Sequence, residues 1–247
     1  MTTPQSDTIH QRLLALLDHG KADHEAFVAT LSQAEREAVG TETGWQPKDH
    51  VAHLNYWRTR TVKMLRAALG EGEVPESGTD FQPQNERNFT EWQHATWDAV
   101  AAKTASLDAE TRTLLGRLSA QDLGEARRFP WQTDDRTISV VIGADFVEHP
   151  AEHYGQLYRE RGQPELGAAV VDDSARFTGE IYGTTSREYA VTLYNAGCYH
   201  ARNGKSAEAI AAVGQALRIA PDLTDWSKQD TDLDSLRELP EFQAIYR

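Results

Sequence analysis

The sequence predicts an all-α protein. Apolar residues recur at spacings of three and four along most of the chain, and the runs of alternating β-branched residues that mark strands are almost absent. Four long segments carry such an apolar stripe, and four helices of this kind commonly pack around one core as a bundle. We therefore expect a four-helix bundle followed by a smaller helical segment.

The four predicted helices are bounded by glycine, proline and capping residues. The second begins near Pro47, because proline has no N–H to satisfy in a first helical turn. The fourth begins near Thr137, a suitable N-cap, and ends before Gly162. The predicted ranges are about 7–32, 47–69, 85–105 and 137–161. Between the last two we expect a poorly patterned stretch, with a short helix near Ala120 and a loop at 128–131.

The predicted domains follow from where this pattern changes. Residues 1–165 form the bundle, and residues 166–186 form a linker, because their periodicity breaks and they are rich in glycine. Residues 187–247 are again helical but carry a different pattern of small residues. We expect them to be a separate C-terminal segment.

Composition excludes several classes of protein. With 39% hydrophobic and 26% charged residues among 247, the chain is globular rather than disordered. No apolar run approaches the roughly 20 residues that cross a bilayer, and the N-terminus lacks the stretches of a secretory signal. A single cysteine, Cys198, adds to the expectation of a cytoplasmic protein that has no membrane partner. The net charge of -13 opposes attraction to nucleic acid.

Three of the nine histidines have the spacing of a metal site. His149 and His153 are four apart on the predicted fourth helix and so project from one face. His53 lies on the second helix, from which it could supply a third nitrogen. Three protein ligands leave a position open for water or substrate, as in catalytic metal sites. Imidazole ligands suit zinc, nickel, iron or copper.

Ordinary roles are also open for these residues. A pair of histidines four apart commonly lies on a solvated helix face, and a histidine at the spacing of His53 is often a core or surface residue. Pro150 stands between the paired histidines, and a proline inside a helix removes a backbone hydrogen bond and bends the helix. Such a bend either spoils the pair or directs it.

Two segments resemble the signatures of the DinB-like superfamily. Residues 45–54, Trp-Gln-Pro-Lys-Asp-His-Val-Ala-His-Leu, resemble its second helix, in which a tryptophan precedes the helix and a histidine followed by leucine is a metal ligand. Residues 149–157, His-Pro-Ala-Glu-His-Tyr-Gly-Gln-Leu, resemble its fourth helix. The resemblance covers about residues 5–165. Gln46, where a capping serine is usual, and Pro150 depart from the pattern.

This resemblance implies a four-helix bundle, often a homodimer, with one divalent metal ion, commonly zinc or nickel, held by His53, His149 and His153. Characterised members include transferases that use a low-molecular-weight thiol (mycothiol, bacillithiol or glutathione), a maleylpyruvate isomerase and ClbS-like resistance proteins. It implies a small-molecule substrate, in stress or detoxification. Asn85 resembles a polar residue that lines the pocket of ClbS-like relatives, although it also suits the start of a helix.

Other polar and aromatic residues are candidates by position. Asp49 and Asp145 each precede a predicted ligand by one turn, from where a carboxylate can orient an imidazole. Glu152 could act as a general base, although all three carboxylates also suit an exposed helix face. Trp57, with the other tryptophans at 45, 92, 97 and 131, could wall an apolar pocket or simply belong to the core.

The C-terminal segment resembles a tetratricopeptide repeat. The matching residues are Leu193, Ala196, Gly197, His200, Gly204, Ala209, Val213, Ala216 and Pro221. Because one repeat cannot bury both of its faces, we expect this segment to pack on the bundle or across a dimer. It is either a cap on the bundle or a surface for a protein partner.

Two functional hypotheses follow. In the first, the protein is a metal-dependent thiol transferase or hydrolase, in which the metal lowers the pKa of a bound water or thiol. In the second, it is a non-enzymatic module that sequesters a small molecule in the bundle, while the repeat contacts a partner.

Overall fold

The computed structural model describes residues 4–74 and 81–247 of an all-α protein. Within these residues the regular elements are helices, and an isolated bridge joins Thr41 to Gly44. In the same two ranges, no helix is both long enough and apolar enough to cross a membrane. The all-α prediction is confirmed.

Thirteen α-helices are named here in chain order within the described residues. They are α1 (Pro4–Ala29), α2 (Gln33–Glu37), α3 (Pro47–Ala68), α4 (Gln82–Trp92), α5 (Trp97–Leu115), α6 (Ala120–Gly124), α7 (Ile138–Gly143), α8 (His149–Glu160), α9 (Pro164–Tyr182), α10 (Arg187–Arg202), α11 (Ser206–Ile219), α12 (Thr224–Ser227) and α13 (Pro240–Ala244). A π-helical segment, Ala144–Glu148, joins α7 to α8, and 3₁₀ turns cover Pro221–Leu223 and Thr231–Leu236.

Contacts divide the chain into two compact units, Met1–Pro150 and Ala151–Arg247. In the first unit, α3 packs against α5, α4 and the π segment, while α1 packs against α6, α7 and the π segment. Its buried core includes Leu16, Phe27, Leu54, Val100, Leu115 and Ile142. The division between the units falls within α8, after its second residue.

Buried hydrogen bonds hold α3 against α5. The Asn55 amide nitrogen donates to the carbonyl oxygen of Val100 over 3.1 Å, and the Thr104 hydroxyl donates to Oδ1 of Asn55 over 3.0 Å. Asn55 and Thr104 are both buried. Because buried polar groups destabilise a core unless they are paired, these bonds fix the position of α3, the helix that carries His53.

The prediction of a single third helix over residues 85–105 is wrong. The structure has α4 and α5 there, and Thr96 lies in the break between them. The Thr96 hydroxyl accepts a hydrogen bond from the backbone N–H of Ala99 over 3.2 Å, so a new helix begins at this N-cap. Helix α5 then extends through the first part of the stretch predicted to be poorly patterned. The short helix near Ala120 is confirmed as α6.

The predicted linker, 166–186, is largely helical, because α9 spans Pro164–Tyr182. Its glycines mark close contacts rather than a break in structure. A Cβ atom built on Gly167 would lie 2.0 Å from the Tyr199 hydroxyl oxygen, and one on Gly179 would lie 2.9 Å from the Tyr189 ring. Glycine is therefore needed where aromatic side chains of α10 pack on this helix.

In the second unit, α10 packs against both α9 and α11. A Cβ atom on Gly197 would lie 2.7 Å from Cγ2 of Val213 and 3.3 Å from the carbonyl oxygen of Ala209. The small residues predicted for this helix pair therefore lie where the two helices approach closely. Cys198 is buried in the same cluster, where its thiol lies 3.6 Å from Oδ2 of Asp230.

The predicted fourth helix is helical throughout, and Pro150 is accommodated by a change in hydrogen bonding just before it. Residues Ala144–Glu148 are π-helical, and the backbone N–H of His149 bonds to the carbonyl of Ala144, five residues earlier. Proline has no N–H to donate to the Phe146 carbonyl in an ordinary α-helical bond. The π segment lets α8 continue from His149 through Pro150 to Glu160.

Gly20 allows α1 to approach the π segment. A Cβ atom on Gly20 would lie 1.9 Å from the carbonyl oxygen of Phe146 and 2.9 Å from its carbonyl carbon. Both are backbone atoms and cannot turn aside as the end of a flexible side chain does. Only glycine fits between these two elements as they are packed.

We expect Gly20→Ala to destabilise the protein by roughly 1–3 kcal/mol or more, because the added methyl forces α1 away from the Phe146 backbone. Gly116→Ala is the matched control, since a Cβ there would lie no closer than 3.7 Å to its neighbours. Urea unfolding followed by circular dichroism measures both. Equal stability of the Gly20→Ala and Gly116→Ala variants would contradict the close approach.

Candidate metal centre

His53 is held in the core by the regular start of α3. Pro47 stands in the first turn, and Oδ2 of Asp49 accepts a hydrogen bond from the backbone N–H of Gln46 over 2.8 Å. The apolar residues Val51 and Leu54 are buried on this helix, and His53 between them is only 5% exposed. The imidazole of His53 is therefore placed by the packing of α3.

His149 is the first residue of α8, directly after the π segment. Its Nε2 atom lies 3.2 Å from Nε2 of His53, and the two ring planes are inclined at 81°. His153 follows one turn later on the same continuous helix. One ring nitrogen from each of the three histidines lies within 4.8 Å of the other two. The structure thus brings together the three residues predicted as ligands.

The donor set and its spacing fit a divalent metal ion. Two imidazole nitrogens bound tetrahedrally to zinc at 2.0–2.1 Å would be about 3.3 Å apart. The observed 3.2 Å between His53 and His149 agrees with that distance. The spacing of two of the three nitrogens therefore matches a zinc site, and His153 is near enough to complete a three-nitrogen set.

Burial keeps these imidazoles neutral. Desolvation lowers the pKa of His53 to about 4. Desolvation and then the nearby His53 and Arg58 lower the pKa of His149 to about 3. Neutral imidazole offers a nitrogen lone pair, whereas imidazolium offers none. At neutral pH both rings are thus in the uncharged form that can bind a cation.

Aromatic rings surround the two close imidazoles. The ring centroids of Trp45 and Trp57 lie 5.2 and 6.2 Å from that of His53, and Trp57 also lies 5.9 Å from His149. Helix α4 and the residue before it contribute two more rings. Phe81 contacts Trp57 at 4.9 Å, and Phe89 stacks on Trp45 at 6.1 Å. Together the four rings form an apolar wall beside the histidines.

Asn85 lies between the two phenylalanines of this wall. Positions 81, 85 and 89 are four apart, so they share one side of α4. Oδ1 of Asn85 is buried, with no hydrogen-bond partner among the described residues. The predicted pocket residue is therefore a polar group on the helix side that faces Trp45 and Trp57.

The three candidate carboxylates have other contacts. Asp49 accepts from the backbone at the start of α3, as described above. Asp145, at the π segment, accepts a short hydrogen bond from the Thr61 hydroxyl. Glu152 is exposed on α8, where it accepts a short hydrogen bond from the Asn195 amide. The orienting or basic roles predicted for these carboxylates stay predictions.

The remaining tryptophans of the predicted wall lie elsewhere. Trp92 and Trp97 pack on a cluster of Val51, Ala52 and Val100. Trp131 stacks on Phe129, with ring centroids 5.2 Å apart. These three tryptophans have packing roles, and their spacing in the sequence does not distinguish them from Trp45 and Trp57.

Two buried residues near the site, His50 and Arg58, were not predicted from the sequence. His50 is buried one turn before His53 and meets the edge of Trp45 at 5.5 Å. Arg58 is buried near His149, whose pKa it helps to lower. The signal for His50 was its three-residue spacing from His53. Nothing in the sequence distinguishes the buried Arg58 from the half-buried Arg60.

Burial raises the pKa of Asp145 to about 6 and the Thr61 hydroxyl partly offsets this. This carboxyl binds its proton more tightly in the folded chain, so its ionisation reduces stability as pH rises from about 4 to about 6. We expect Asp145→Asn to stabilise the metal-free protein by roughly 1–2 kcal/mol at pH 7.5 and by much less at pH 4.5. Denaturant unfolding at the two pH values measures the difference.

Thr61→Val provides the companion variant. Loss of the hydroxyl removes a donor to the carboxylate, so we expect its cost in stability to be larger at pH 7.5 than at pH 4.5. If the wild type and Asp145→Asn had parallel pH profiles, the raised pKa would be refuted.

The chain is similar in fold to a protein of known structure. No protein-family model matches the chain, and its sequence matches no curated protein. Among solved structures it is similar to the crystal structure of an uncharacterised protein from Escherichia coli UTI89, with a TM-score of 0.50 and 18% sequence identity. The match covers 64% of this chain and 93% of the E. coli chain. At this identity the likeness concerns the helical fold alone.

Proposed function

We propose that the protein is a metal-dependent member of the DinB-like type, in which His53, His149 and His153 hold one divalent metal ion. The observation that carries the proposal is the convergence of one nitrogen from each imidazole within 4.8 Å. Zinc or nickel suits this ligand set. Three protein ligands leave room for one more, which is the arrangement of catalytic rather than structural sites.

The proposed activity is that of a thiol-dependent S-transferase or a hydrolase acting on a small molecule in stress or detoxification. Bound there, the metal would supply a Lewis acid that lowers the pKa of a thiol or water. The rings of Trp45, Trp57, Phe81 and Phe89 support a substrate with an apolar part. Asn85 supports one polar contact to that substrate, because its carbonyl oxygen is buried and a substrate donor would satisfy it.

In this proposal, metal binding would change the hydrogen bonding of Trp57. Its indole N–H donates to Nε2 of His53 over 3.2 Å. A nitrogen lone pair given to a metal ion cannot also accept this hydrogen bond. Binding of metal would therefore break this hydrogen bond and leave the N–H of Trp57 available to a polar group of the substrate.

The architecture belongs to the same proposal. We propose that α1, α3, α5 and the segment formed by α7 and the π turn correspond to the four members of a DinB-like bundle, with α4 as an addition before α5. The pairing of α10 and α11 through Gly197 supports a tetratricopeptide-like C-terminal segment. We propose a homodimer, with this segment as a cap or as a surface for a protein partner.

A second candidate function is sequestration of a small molecule without turnover. The observation in its favour is the aromatic wall, since four rings around a buried polar oxygen can hold a ligand without chemistry. In this case the histidines would be packing residues, and ligand affinity would survive their replacement.

We expect the purified wild type to carry about one equivalent of zinc or nickel per chain, and His53→Ala/His149→Ala to carry less than a tenth of that amount. His94→Ala, which changes an exposed histidine of the same unit, is the control and should keep its metal. Inductively coupled plasma mass spectrometry after dialysis gives the measurement. Equal metal in the double variant and the control would refute the site.

Turnover separates the two candidate functions. If the protein is a transferase, conjugation of an electrophile such as monochlorobimane to a low-molecular-weight thiol should exceed the uncatalysed rate. Dipicolinate should abolish the excess and added metal should restore it. Ligand binding that is unchanged by chelator and by loss of the histidines, with no excess turnover, would favour sequestration instead.

A further inference from the structure

The first unit contains a cavity of about 480 Å³ lined by residues of α1, α3 and α5 and by Phe146 of the π segment. We call it the α1/α5 cavity. Its walls include Val28 on α1 and Ala101 and Ala105 on α5, and Arg58 of α3 lines it as well. The volume is in the range of small-molecule sites. His53, His149 and His153 are not among its lining residues.

Arg58 is a buried cation that needs a partner. Its residue is only 4% exposed, and Nε is buried with no hydrogen-bond partner among the residues that the structure describes. Its guanidinium lies over the face of Phe146, 5.1 Å from the ring centroid. The face of an aromatic ring stabilises a cation, but it accepts none of the hydrogen bonds that the N–H groups of a guanidinium donate in its plane. Burying an unpaired guanidinium is costly, so such groups usually bind an anion.

The acidic groups that line the cavity are paired with other cations. Asp108 accepts from Nε of Arg112 over 2.9 Å, and Glu25 lies 3.6 Å from Nζ of Lys21. Asp145, whose pKa responds to Arg58, accepts from Thr61. In the described residues no carboxylate lies within ion-pair distance of Arg58. The guanidinium therefore faces the cavity with donors to offer.

We propose that the α1/α5 cavity binds a small organic carboxylate with an apolar body. The carboxylate would accept hydrogen bonds from the guanidinium of Arg58, whose planar fork matches two oxygens. The body would lie along Val28, Ala101 and Ala105. A single charge is favoured over a phosphate dianion, because one guanidinium neutralises one charge and the carboxylates of Glu25 and Asp108 line the same cavity.

Small residues keep the cavity open. Ala101 and Ala105 follow each other by one turn on α5 and present only methyl groups to it. A larger side chain at Ala105 would occupy the space of the ligand body while leaving Arg58 unchanged. A substitution of Arg58 therefore removes the charge of the site, and a larger residue at Ala105 removes the space for the ligand.

The experiment titrates hexanoate and 1-hexanol into the full-length protein by isothermal calorimetry, both as purified and after treatment with EDTA. We expect hexanoate to bind at least tenfold more tightly than hexanol, because hexanol lacks the carboxylate. Arg58→Gln should reduce hexanoate affinity at least tenfold, and Ala105→Leu should do so with the cation still in place. Arg66→Gln, an arginine on the exposed side of α3, is the matched control and should bind as the wild type does.

Several results would overturn the proposal. Equal affinity for hexanoate and hexanol would mean that the guanidinium plays no part. Undiminished binding in Ala105→Leu would place the ligand elsewhere, and this variant keeps the test valid if Arg58→Gln does not fold. Loss of binding after EDTA would place the carboxylate on a metal ion rather than on Arg58. Tighter binding of inorganic phosphate than of hexanoate would overturn the assignment of a carboxylate.

Discussion

The approach of His53 to His149 in the core is the constraint on which the rest of the structure depends. Two polar rings are placed 3.2 Å apart among tryptophans and phenylalanines, where the charged form of either ring is disfavoured. Such an arrangement is costly in an apolar core unless both nitrogens have a partner. Under the proposed function a divalent cation would be held by both nitrogens at once, and the hydrogen bonds between Asn55 and α5 fix α3 in the position that this requires.

The sequence was sufficient for the parts of the fold that depend on local periodicity. The α3 helix was predicted nearly to the residue, because Pro47 marks its start and apolar residues follow at helical spacing. The break at Thr96 was missed, since tryptophans and alanines continue on both sides of it. The glycines of α9 indicate a linker when only the sequence is considered, because their close contact with Tyr199 and Tyr189 exists only in the folded protein.

The candidate site was predictable in identity but not in environment. His53, His149 and His153 were found by spacing and by resemblance to a family signature. That they converge, that Phe81 and Phe89 of α4 contact the same tryptophans, and that Asp145 bonds to Thr61 all depend on tertiary packing. Arg58 shows most clearly what the sequence does not reveal, because burial of an arginine depends on tertiary packing and not on its identity.

The π segment before His149 has a consequence for the direction in which the histidines point. A turn with i→i+5 bonding holds one residue more than an α-helical turn, so Ala144–Glu148 place one extra residue in the helix. If the same residues formed a regular α-helix, His149 would be rotated by about 100° relative to α7. The histidine pair would then point away from α3 although each residue and its spacing were preserved. The backbone hydrogen bonding before His149 is therefore as much a determinant of the site as the histidines themselves.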